Sequence, residues 1–219
     1  MTIQDWIAKG ELNAPLQVGE KTLSGLPTII NHFSKNKLPE VAVAPFCILL
    51  SKQISTNPSL ANPIDLFMRG VFEQPETALE VFQAAIEKND VEGAKALARY
   101  IDFETIDLDA IPLENTEIIT YLADQVKDES AFYNHLEERW ARGNQPNGAK
   151  ALQRIKECRR LQSEELRLER LGLTTLPLFL LRELPKLKRL YLWHNQLRTF
   201  TVAPGTLPAL TYLNLSYNQ

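Results

Sequence analysis

The feature that most constrains this chain is a leucine pattern that returns at fixed spacing near its end. Leu187, Leu190, Leu192, Asn195 and Leu197 spell L-x-x-L-x-L-x-x-N-x-L. Leu210, Leu213, Leu215 and Asn218 repeat it, each 23 residues later. An earlier copy, Leu166, Leu168, Leu171 and Leu173, has leucine where the others have asparagine. A period of this length holds one short strand and a return segment. Side chains alternate along a strand, so each L-x-L step sends two leucines to the same face. One coil cannot bury its own leucines and needs a neighbour to do it.

Such a pattern at such a period is the signature of a leucine-rich repeat. It predicts an α+β chain: an N-terminal all-helical domain over 1–145, then a cap helix and two to three repeats of a short solenoid over 146–219. The chain stops at Gln219, one residue before the leucine expected after Asn218. The expectation is therefore a truncated repeat with an open end, whose exposed leucines favour weak self-association.

Composition narrows the class. Hydrophobic residues make up 44% and charged residues 23%, ordinary for a globular protein. A net charge of -3 gives no pull toward nucleic acid or membrane. The N-terminus lacks a basic region followed by an apolar run, and the run Val41 to Leu50 is too short to span a bilayer. A cytoplasmic protein is expected. Cys47 and Cys158 lie far apart in apolar surroundings and read as reduced core thiols.

The first 145 residues read as short helices. Ala78, Val81, Phe82, Ala85 and Ile86 form an apolar stripe over 77–88. Asp90 caps a second helix carrying Ala94, Leu97, Ala98 and Ile101, and Asn115 a third carrying Ile118, Ile119, Leu122 and Val126. Asp128 or Ser130 caps a fourth, with Phe132, Leu136 and Trp140 inward. Two earlier helices, 26–33 and 41–53, are interrupted by Pro27 and Pro45. A faint echo between 89–97 and 143–152 resembles the second helix of ankyrin repeats, without their T-P-L-H turn. A bundle or degenerate helical repeats is the expectation. The acidic run 102–109 has neither the glycine nor the closing glutamate of a calcium loop and reads as a solvated connection.

A helix over 147–161 precedes the repeats, with Ala151, Leu152, Ile155, Cys158 and Leu161 on one face. It is placed to cap the first coil, and its basic face (Lys150, Arg154, Lys156, Arg159) reads as solvated. Outward strand positions are Glu165, Arg167 and Glu169, then Arg189, Tyr191 and Trp193, then Tyr212, Asn214 and Ser216. Trp, Tyr and Arg are enriched at binding hot spots. Arg167, Arg189, Tyr191, Trp193, Tyr212 and Asn214 are thus the candidate partner-binding residues, with Trp193 expected to be exposed. From Arg167 to Arg198 seven Lys or Arg face two Glu, an excess of +5 that favours an acidic protein partner.

The run Ala151-Leu-Gln-Arg-Ile-Lys-Glu-Cys-Arg-Arg, followed by Glu165-Leu-Arg-Leu-Glu-Arg-Leu-Gly-Leu-Thr-Thr-Leu-Pro177, is similar to the cap-to-repeat junction of bacterial leucine-rich repeat proteins. It resembles especially the effectors of the YopM, IpaH and SlrP kind, and also the junctions of bacterial Roco proteins. The resemblance implies a protein-binding role and delivery into a host cell by a route without a cleaved signal. It also implies an alternative: a substrate-recognition arm of a longer enzyme, a ubiquitin ligase or a Roco-type GTPase, with its catalytic domain beyond residue 219.

Within the chain no catalytic constellation is visible. His32, His135 and His194 are scattered, and neither H-E-x-x-H, G-x-S-x-G nor a phosphate-binding glycine loop occurs. Neither cysteine stands in a C-x-D. The expectation is a non-enzymatic segment with no cofactor and no metal, which binds a protein through its concave face.

Overall fold

The computed structural model describes residues 2–202 and 205–219. The chain divides into two units, one ending at Ile106 and the other starting at Asp107.

In the first unit α1 (Ile3–Lys9) leads to an antiparallel hairpin, β1 (Leu16–Val18) and β2 (Lys21–Leu23). Five helices follow: α2 (Leu26–Phe33), α3 (Glu40–Thr56), α4 (Ala61–Val71), α5 (Pro75–Glu87) and α6 (Val91–Leu97). α3 is central and packs on α1, α4, α5 and α6. Its Phe46 meets Trp6, Phe33 and Phe67 as tilted or edge-on ring pairs. The stripe predicted on α5 is buried at all five positions. The Asp90 carboxylate accepts the Gly93 N–H at 3.0 Å, which fixes the start of α6. Pro45 does not interrupt its helix. It lies in the second turn of α3, where the carbonyl it leaves unpaired belongs to the solvent-facing Val41. The acidic run 102–109 folds as two short 3-10 turns, with Asp102 and Asp107 accepting the Glu104 and Asp109 N–H groups at 3.1 and 2.9 Å.

The second unit holds α7 (Thr116–Ala123), α8 (Glu129–Gly143) and α9 (Gly148–Leu161), then strands β3 (Glu165–Arg167), β4 (Arg189–Tyr191) and β5 (Tyr212–Asn214). Asn115 and Asp128 cap α7 and α8. Sequence reading drew a boundary near residue 145, whereas the division falls at 106 and 107. α7 and α8 go with the repeat because α7 packs on the 3-10 turn Leu178–Leu181 and α8 packs on α9.

The strands form one parallel sheet in the order β3-β4-β5. Leu166 pairs with Leu190 and Leu190 with Leu213, the register the repeat spacing predicts. Each coil turns its corner through one left-handed residue at the same position: Arg170, His194 and Tyr217, at φ of 55, 60 and 58°. The asparagine that follows stitches its coil to the preceding one. Asn195 Oδ1 accepts the N–H groups of Leu171 and Leu173 at 3.1 and 3.0 Å. Its Nδ2 donates to the carbonyls of Leu168 and Leu192 at 2.9 and 2.8 Å. Asn218 binds Leu197 N–H and the Leu192 and Leu215 carbonyls in the same manner.

The first coil has no coil before it, which explains its leucine at 171. The α8–α9 connection takes over the work. Asn144 Oδ1 accepts the Thr174 N–H at 2.9 Å, Asn147 donates to the Leu171 carbonyl at 3.1 Å, and Trp140 Nε1 donates to the Thr175 carbonyl at 3.1 Å. α9 buries Ala151, Leu152, Ile155 and Cys158, but Leu161 is exposed. The helical period of about 3.6 residues rotates Leu161, the last residue of the helix, away from the face of Ala151, Leu152 and Ile155, and Gln162 then ends the helix in a left-handed cap. Gly148 admits no side chain, since a Cβ there would stand 2.1 Å from the Ala141 carbonyl oxygen.

The basic side of α9 is not simply solvated. Glu137 of α8 is fully buried, and Arg159 and Arg182 both donate to its Oε1, at 3.0 and 2.7 Å. Lys156 Nζ lies 3.2 Å from Oε2. Arg159 also donates to the Leu180 carbonyl at 2.9 Å, and Arg182 covers the Tyr133 ring at 3.8 Å. Arg154 donates to the Arg167 carbonyl at 2.9 Å, and the Cys158 thiol donates to that of Glu165 at 3.6 Å, so α9 occupies the free edge of β3.

Two predictions follow from this packing. Asn195→Ala leaves two N–H and two carbonyl groups without their partner, and urea unfolding should show a loss of about 3 kcal/mol or more; a change within error would remove the stitching role. Burial pushes the Glu137 carboxyl up, but the Arg182 hydrogen bond and the Arg159 and Arg182 charges outweigh it and hold it below the ordinary 4.5. A carboxyl depressed in the folded state stabilises above its unfolded value and ceases to as pH falls through its folded one. Glu137→Gln should therefore lower the melting temperature at pH 7, and the gap to wild type should close once the pH is below the depressed value. A gap independent of pH would contradict the pairing.

Candidate functional site

The inner face of β3–β5 brings the six sequence-derived candidates together, since parallel pairing aligns every second residue of each strand. One column runs Glu165, Arg189, Tyr212 and the next Arg167, Tyr191, Asn214. Tyr191 and Tyr212 touch with ring centroids 5.4 Å apart. The Arg167 guanidinium lies over the Tyr191 ring at 4.5 Å. Trp193, one step along, is half-buried.

Two expectations need correction. Trp193 is not bare: the Arg170 guanidinium covers its ring at 4.5 Å and His194 stacks beside it at 6.2 Å. The local excess of positive charge is largely spent within the fold. Arg189 pairs with Glu165, Lys188 with Glu164 at 2.6 Å, and Arg182 with Glu137. Arg167 stands 3.5 Å from Glu165 and 3.8 Å from Glu169. The hydrogen bond from Lys188, and then its charge, hold the Glu164 carboxyl below its ordinary value.

Sequence reasoning passed over Arg170, the corner residue that covers Trp193. A repeat alignment would have found it, because it occupies the position of His194 and Tyr217 in the following coils. His194 and Tyr217 meet edge-on at 6.0 Å. In the third coil Leu213 and Leu215 are each 37% exposed and Tyr217 78%, whereas Leu190 and Leu192 are at 0%.

The face presents aromatic rings and guanidinium groups side by side. Among the described residues no group of three or more His, Cys, Asp or Glu is placed to hold a metal ion. No described helix is long and apolar enough to cross a membrane. Burial pushes the Cys158 thiol up, away from thiolate chemistry.

Parallel strands one coil apart, leucines inward and an asparagine stitch define a leucine-rich repeat. Residues 164–219 match the Leucine rich repeat family, which supports a leucine-rich repeat protein and a protein-interaction role in general. No curated protein and no solved structure matches the chain.

Proposed function

We propose that this chain is a protein-interaction module that grips a protein partner across the inner face of β3–β5, and that its coils are the start of a solenoid. What supports this most directly is the alignment of Arg167, Tyr191, Tyr212 and Trp193 on one surface, with the tyrosine rings in contact and guanidinium groups 4.5 Å above the Tyr191 and Trp193 rings. Stacked aromatic and Arg side chains lose little further freedom on binding and offer large amphipathic area. The strands carrying them are anchored by the asparagine stitches and by the cap, so the surface is preorganised. Catalysis is no part of this reading.

One measurement tests it. A partner captured by the immobilised chain should bind Tyr191→Ala and Trp193→Ala about tenfold or more weakly, and Lys186→Ala, outside the strands, with unchanged affinity. Equal affinity for all variants would sink the reading.

A further inference from the structure

The face just described carries a second row that runs beside the strand columns, and the following rests on that face being the binding surface. The row consists of the corner residues Arg170, His194 and Tyr217 together with Trp193. Their left-handed backbone turns each side chain at the same point of its coil. Arg170 lies on Trp193, Trp193 stacks with His194, and His194 meets Tyr217, which makes one continuous cation–aromatic surface across the coils.

The charges of the strand residues say where discrimination can come from. Glu164 faces Lys188, and Glu165 faces both Arg189 and Arg167, whose other neighbour is Glu169. These cations are answered by carboxylates of the fold. Arg170 is exposed, and among the described residues its contact is the Trp193 ring rather than a carboxylate. A guanidinium lying on an indole has its hydrogen-bond fork held in place and one face already out of water. Its in-plane N–H groups remain available in the geometry that a carboxylate fits with two parallel bonds.

We propose that Arg170 is the specificity-determining residue of the binding face, and that the partner segment it selects is an extended acidic peptide. An Asp or Glu carboxylate engages the Arg170 fork, while the peptide's apolar groups and backbone lie over Trp193, His194 and Tyr217. Acidic partners are chosen over basic ones at this corner. Lysine at 170 serves poorly, since an ammonium neither lies flat on the ring nor offers two parallel donors.

The test uses the full 219-residue chain and a fluorescein-labelled oligo-glutamate peptide, with oligo-glutamine of the same length as control, read by fluorescence anisotropy. Wild type should bind the glutamate peptide and not the glutamine one, more weakly as salt rises. Arg170→Ala should weaken binding about tenfold or more, Arg170→Lys should recover part of it, and Arg170→Glu should abolish it. Melting curves of the variants should match wild type, since the side chain is exposed. Equal binding of both peptides, absence of binding, or an unchanged Arg170→Ala overturns the proposal. So does a single-stranded oligonucleotide that competes as well as the peptide, which would mean a phosphate backbone is the ligand. If Arg170→Ala is silent while Tyr191→Ala weakens binding, the Arg170 assignment falls and the broader reading of the face stands.

Discussion

The first coil of a repeat has one side with no coil to cover it, and the structure meets this constraint with a buried carboxylate. Glu137 lies wholly out of water between α8, α9 and the segment after Leu178, and receives Arg159 and Arg182 on one oxygen. Desolvating three charged groups is costly, and an apolar cluster of the same volume could hold the elements at least as tightly. What the ionic cluster adds is direction. Arg159 also binds the Leu180 carbonyl and Arg182 covers Tyr133, which fixes α9 in register on the first coil, although Glu137 Oε2 and Arg182 Nε are buried without a hydrogen bond.

From that fixed point the rest is stacked. Trp140, Asn144 and Asn147 bind backbone groups of the first coil, and Asn195 and Asn218 pass the same task along the repeat. The inner-face columns align because the strands under them align. Ring contacts between Tyr191 and Tyr212, and between Trp193 and its neighbours, follow from a register set by buried amides several residues away. Sequence, packing and the aligned inner face are joined here by one quantity, the length of the coil.

Much of this was legible in the chain because it obeys local periods. The leucine spacing alone gives the strand pairing of Leu166, Leu190 and Leu213, and helix-period stripes give the buried face of α5 and that of α7 at Ile118, Ile119 and Leu122, while Val126 lies past the helix end. Cap residues such as Asp90 and Asn115 reveal helix starts because their partners are three residues away. Other features have no such period. Glu137 meets Arg159 and Arg182 from 22 and 45 residues off, and in sequence Glu137-Glu138-Arg139 looks like any wet helix face. The β1–β2 hairpin went unread because its strands are only three residues long and half-polar. Of the candidate face, the strand positions could be read, but not which cations their own neighbours neutralise.

The central claim is that the cap helices and the coils form one cooperative unit whose register sets the inner face of β3–β5. Native-state amide hydrogen exchange tests it most directly. The account predicts that the amides of Leu136 and Ile155 in the helices and of Leu168, Leu171, Leu173 and Leu192 in the coils open with one common free energy. Coil amides that exchange at lower free energy than those of α8 and α9 would mean that the coils open on their own, and would contradict it.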